Sequence, residues 1–175
     1  KLQWGTQTWV DTGVQLDDTR DPDDPKNVKA DTLWDESAQK LYVLSHVYSE
    51  SPSPVKGSSH ARLYRYSYDA VAQTYTLDPG FEGPGYVTVN EDKTETLVLD
   101  KDSNGRLWTT FVSKSDSSST GYELYMNASD GSDDNWLTKF TLPPGQVPVT
   151  ATEVLTDDIS TLVAYDNQIA VIWTN

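Results

Sequence analysis

Three segments of the chain repeat one another, and this repetition restricts the available folds more than any other feature. They are TLWDESAQKLYVLSH from Thr32, TLVLDKDSNGRLWTTFVS from Thr96 and TLVAYDNQIAVIWTN from Thr161. Each reads as strand, acidic turn, strand, with the turn carboxylate at Asp35, Asp100 and Asp166, a period of 65 and then 66 residues. A second pair follows the first two: ARLYRYSYDAVAQTYTLDPG from Ala61 and YELYMNASDGSDDNWLTKFTLPPG from Tyr122. Leu63-Tyr64 matches Leu124-Tyr125, and Thr76-Leu77-Asp78-Pro79-Gly80 matches Thr141-Leu142-Pro143-Pro144-Gly145. One repeat is therefore four short strands.

Four antiparallel strands followed by a Pro/Gly crossing predict an all-β fold of β-propeller blades, each needing neighbours to cover its faces. Leu41-Tyr42-Val43-Leu44 and Ile169-Ala170-Val171-Ile172 are continuously apolar, as strands sandwiched between blades should be. ARLYRYSY alternates more, as an outer strand does. The aromatic supply agrees: six Trp and ten Tyr against one Met and three Phe suit half-buried strands. The expected divisions are a half blade and acidic loop over 1–29, blades over 30–92 and 93–156, and a half blade over 157–175. The first half rests on Val14-Gln15-Leu16-Asp17, which resembles Tyr75-Thr76-Leu77-Asp78. Two blades and two halves fall short of the roughly four to eight that close a ring. The chain is thus expected to be part of a larger propeller, or a protomer whose partner completes an otherwise incomplete ring.

A formal charge of −14, from 27 acidic and 13 basic residues, repels a phosphate backbone, and no basic patch offsets it, so nucleic acid is not an expected partner. No stretch is long and apolar enough to predict membrane insertion, and Lys1 opens into polar sequence rather than a signal peptide. Zero cysteines exclude disulfides and thiolate chemistry without fixing a compartment. DDTRDPDDP, KSDSSST and SDGSDD read as solvated acidic loops, compatible with an extracellular or high-salt setting and with plain solubility.

From Ala30 onward, YRYSYDAVAQTYTLDPGF, ETLVLDKDSNGRLW and DDISTLVAYDNQIAVIW resemble the blades of secreted bacterial sialidase-like propeller proteins. The resemblance implies a propeller and a secreted location; it specifies fold rather than activity, because propellers host enzymes, lectins and scaffolds. The sialidase Asp-box, S-x-D-x-G-x-T-W, is echoed with altered spacing by Ser129 to Trp136. A sialidase mechanism would also need three clustered Arg and a Tyr nucleophile, yet the chain has only Arg20, Arg62, Arg65 and Arg106, with Arg62 and Arg65 on one expected outer strand.

Among residues that could bind or react, Asp100, Asp102 and Asn104, followed by Gly105, form D-x-D-x-N-G. That spacing starts a calcium loop, but the twelfth position is Phe111 rather than Glu, and the same stretch is a good hairpin turn. His46 and His60 flank PSPVKGSS and read as solvent or edge histidines rather than as a metal pair. Trp34, Tyr42, Trp108 and Trp173 recur at related repeat positions, where aromatics either stack on sugars or fill the wedge between blades. Asn127-Ala128-Ser129 is a glycosylation sequon with chance as its simplest origin. The expected function is a non-catalytic extracellular module that binds glycan or protein through loops at one face. The alternatives are part of a sialidase-like hydrolase or lyase, and a structural subunit assembling by strand exchange.

Overall fold

A computed structural model describes residues 2–3, 5–11, 29–46, 61–81, 85–92, 94–114, 121–141, 154–155, 158–166 and 168–174. Among these residues the chain is all-β, with every strand pairing antiparallel. β1 (Leu2–Gln3) and β2 (Thr8–Trp9) form a small pair. The first large sheet has the order β3 (Lys29–Asp35), β4 (Lys40–His46), β5 (Ala61–Asp69), β6 (Thr74–Leu77). Its fourth position is shared: β6 pairs with the later half of β5, and β7 (Val87–Asn90) with the earlier half. The second sheet runs β8 (Thr94–Lys101), β9 (Leu107–Lys114), β10 (Tyr122–Ala128), β11 (Phe140–Thr141). β12 (Ser160–Tyr165) and β13 (Gln168–Trp173) close the chain's strand order as a hairpin.

Aspartates set the hairpin turns. Asp35 Oδ1 accepts the N–H groups of Ser37 and Ala38, and Asp69 Oδ1 those of Val71 and Ala72, after which Gln39 (φ 54°) and Gln73 (φ 56°) complete the same turn in the left-handed region. In the second sheet this role belongs to Asp102, whose Oδ1 accepts from Asn104 and Arg106, while Gly105 takes the left-handed position at φ 86°. The turn carboxylates equivalent by structure are therefore Asp35 and Asp102. Asp100 lies within β8 instead, two residues ahead of Asp102, and a bulge between Glu95 and Val98 adds one residue to that strand.

The sheets pack face to face. Tyr42, Leu44, Ala61 and Leu63 of the first sheet meet Leu97, Leu99, Leu107, Phe111 and Tyr125 of the second in one core cluster. On the far side of the second sheet, Val112, Leu124 and Val154 pack with Val171 and Trp173. β3 lies beside β8, and β8 beside β12, so the leading strands of successive units are neighbours. Each leading strand is the edge of its own sheet, with N–H groups left over from the ladder. The preceding unit caps one of them: Asp31 Oδ2 accepts from Leu99 N at 2.8 Å, and Asp100 Oδ2 from Ala164 N at 2.7 Å.

Three expectations change. β5, expected as an outer strand, is paired on both edges, and its Ala61, Leu63, Tyr64 and Tyr66 are buried. SDGSDD is no plain solvated loop: Ser129 bridges to Trp136, and Asp133 reaches Tyr42 and Arg65 of the first sheet. His46 is buried, its Nδ1 3.9 Å from Glu95 Oε2, because the end of β4 faces the second sheet rather than solvent. His60, Arg20, Val14–Asp17, the loop DDTRDPDDP, most of KSDSSST and Pro143–Gly145 lie outside the described residues.

Candidate binding cleft

The β3–β4 turn and the β8–β9 turn flank a cleft of about 390 Å³. Leu33, Trp34, Asp35, Glu36 and Ser37 line one side; Lys101, Asp102, Ser103 and Gly105 line the other. Lys101 Nζ crosses the seam to donate to Asp35 Oδ2, tying the two turns together. That ammonium and the Ser37 hydroxyl hold the Asp35 carboxyl well below the usual carboxylate range. Burial would raise Asp102, but the Trp108 indole N–H, the N–H groups of Arg106 and Asn104 and the Arg106 charge outweigh it, so its pKa falls. Both acids are therefore anionic at neutral pH.

Trp34 is 37% exposed, and its indole meets Tyr68 edge-on at 6.2 Å between centroids. Its Nε1 donates to Glu36 Oε2, and Gln39 Nε2 donates to the Glu36 backbone oxygen at 2.8 Å and to its Oε1 at 3.3 Å. Leu33 and the Trp34 ring are the apolar part of a lining that is otherwise mostly polar, and the volume lies in the range of about 300–1,000 Å³ common for small-ligand pockets.

Of the four recurring aromatics, Trp34 alone lines the cleft. Trp108 stands one bond behind it, donating Nε1 to Asp102 Oδ2 at 2.9 Å, with the Arg106 guanidinium 5.2 Å from its ring. Trp173 packs in the seam between the second sheet and the last hairpin. Tyr42 is 2% exposed in the core, so its ring offers no face to a sugar. Its hydroxyl donates to Asp133 Oδ2 at 2.6 Å, and burial followed by that carboxylate pushes the phenol well above its ordinary range. A phenol so held is a neutral donor rather than a nucleophile.

The other two described arginines serve separate partners. Arg65 donates Nε to Asp78 Oδ2 at 2.6 Å and Nη1 to Asp133 Oδ2 at 2.9 Å. Burial opposes its charge, but Asp133 and Asp78 outweigh that and raise its pKa further. Arg62 lies 4.2 Å over the Tyr86 ring. Asn127 of the sequon is buried in β10, donating Nδ2 to Val89 O at 3.0 Å, which removes it from any modifying enzyme in the folded chain.

Asp100 and Asp102 spend their oxygens apart from each other. Asp100 takes the N–H groups of Lys101 and Ala164, whereas Asp102 takes those of Asn104, Arg106 and the Trp108 indole. Among the described residues no group of three or more His, Asp or Glu is gathered as a metal would require. The turn is held by its own hydrogen bonds, so calcium or a chelator is expected to leave the thermal unfolding midpoint unchanged. A calcium-dependent rise in that midpoint, lost in Asp102→Asn, would place an ion there.

Glu36 and Lys101 were not singled out by motif. Their signal was positional: Glu36 opens the β3–β4 turn and Lys101 ends β8 before the β8–β9 turn, and stacking brings these turn ends to one end of the sheets. Comparison of the chain with protein-family models, with curated proteins and with solved structures finds no match.

Proposed function

We propose that the chain is a section of an extracellular β-propeller and acts as a non-catalytic glycan-binding module through the cleft between its β3–β4 and β8–β9 turns. The propeller reading is supported by the side-by-side leading strands β3, β8 and β12, with sheets stacked face to face behind them. The extracellular reading draws on the acidic composition. The observation that carries the binding reading is the exposed Trp34 indole set in a cleft with hydrogen-bonding carboxylates, the pairing that grips a sugar's apolar face and its hydroxyls. Tyr42 and Arg65, the residue types nearest to sialidase chemistry, are engaged in joining the sheets, which favours binding over turnover.

The test is titration calorimetry of the purified chain against neutral, amine-bearing and acidic oligosaccharides, with product analysis of each mixture. Binding without cleavage is expected, and Trp34→Ala should weaken it by about tenfold or more, the effect of deleting one aromatic anchor. Binding that Trp34→Ala leaves untouched would move the site elsewhere, and release of new reducing ends would replace the module with an enzyme.

A further inference from the structure

The charge of the cleft selects among glycans, and this step rests on the glycan-binding reading above. Three carboxylates line the cleft against one lining ammonium. Lys101 is committed to Asp35, and the same ammonium lies 5.5 Å from the Tyr42 ring centroid. Arg106 acts on Asp102, but its Nε is bound to Ser129 O at 2.6 Å and its guanidinium covers Trp108. Glu36 differs from both acids. Its carboxylate oxygens receive N–H groups from Trp34 and Gln39, which are uncharged donors, so its hydrogen bonding is served while no cation among the described residues pairs with its charge. The unmatched charge sits beside the one exposed indole of the cleft.

A carboxylate at the edge of an exposed indole attracts a protonated amine by ion pairing, and the ring face adds a quadrupole attraction to a cation that lies over it. The same place repels an anion, because among the described residues the cleft has no free cation to receive one. We infer that the cleft recognises a glycan bearing free amines, a de-N-acetylated hexosamine oligomer, with one ammonium paired to Glu36 beside the Trp34 indole. Neutral sugars keep the stacking and hydroxyl contacts but lack the ion pair. Acidic sugars, including sialic and uronic acids, are rejected.

The test is calorimetry at about pH 6, below the range of an ordinary amino group. The probes are a glucosamine hexamer, an N-acetylglucosamine hexamer, a galacturonic acid hexamer and trilysine. The glucosamine hexamer is expected to bind about tenfold tighter than its acetylated form, with the gap shrinking as salt screens the exposed charges. The galacturonate should give no heat of binding. Glu36→Gln should bring the glucosamine hexamer down to the affinity that the wild-type chain shows for the acetylated one. Equal or tighter binding of the acetylated hexamer, or binding of the galacturonate, would overturn the charge selection while leaving a glycan site in place. Trilysine binding as tightly as the glucosamine hexamer would make the ligand a basic peptide. Failure of all three hexamers to bind would remove the glycan reading together with this inference.

Discussion

Replacing Phe111 with alanine is expected to lower the unfolding free energy by about 3–5 kcal/mol. Phe111 is fully buried in β9, opposite Tyr125 of β10, and the two rings stack at 6.2 Å. Its cluster joins Tyr42, Leu44 and Leu63 of the first sheet to Leu97, Leu99 and Leu107 of the second. The cost should lie toward the upper end, because the walls of the resulting cavity cannot easily collapse. They belong to two sheets held in place by Asp31 on Leu99 N and by Lys101 on Asp35. Urea denaturation measures the loss, with Phe111→Leu as the variant that retains most of the volume. Val71→Ala, at a turn position that is 96% exposed, should stay within about 0.5 kcal/mol and serves as the reference. A Phe111→Ala loss below about 1 kcal/mol would mean that the two sheets do not meet through this face.

Asp78→Asn is expected to cost about 3 kcal/mol and to change how stability responds to acid. Asp78 is buried, with Oδ2 accepting Lys40 Nζ and Arg65 Nε at 2.6 Å each and Oδ1 accepting the Ser67 hydroxyl. The amide keeps the shape but leaves Lys40 with the Ser67 hydroxyl and Arg65 with Asp133, a carboxylate that also receives the Tyr42 hydroxyl. Lys40 and Arg65 reach solvent in part, which keeps the cost at the lower end for a broken buried pair. Burial alone would raise the Asp78 pKa, but Lys40, Ser67 and Arg65 outweigh it and the pKa falls. Unfolded, the same carboxyl titrates near pH 4, so its contribution is fully present above about pH 4 and is lost as pH drops through the lower folded value. The Asn variant should therefore begin less stable at neutral pH and lose less between about pH 4 and pH 2. Asp35 and Asp102, whose pKa values are also lowered, keep part of the acid sensitivity in both proteins. Parallel acid titrations of the two chains would refute the assignment.

The hairpins were legible because their signals are local. Asp35-Glu36-Ser37-Ala38-Gln39 and Asp69-Ala70-Val71-Ala72-Gln73 each carry a capping aspartate between apolar runs. Trp34 and Asp102 could likewise be picked out, since both stand at repeat positions beside turns. The network around Asp78 could not. Arg65 meets Asp78 across 13 residues, Asp133 across 68, and Tyr42 meets Asp133 across 91. In a chain with 27 acidic residues, nothing local distinguishes the aspartate that turns inward from those that stay in water. Tyr42 was misplaced for a related reason: an aromatic on a fully apolar strand has the same sequence pattern whether it meets a ligand or a neighbouring sheet. Asp100 was assigned to a turn because it falls one 65-residue period after Asp35, whereas the turn is capped two residues later by Asp102.

The ties from Asp31 to Leu99 N and from Asp100 to Ala164 N end on main-chain amides. The tie itself asks nothing of the side chain at the receiving position: at Leu99 the amide takes the tie while the side chain fills the core, and at Ala164 the same amide tie is made beside a single methyl.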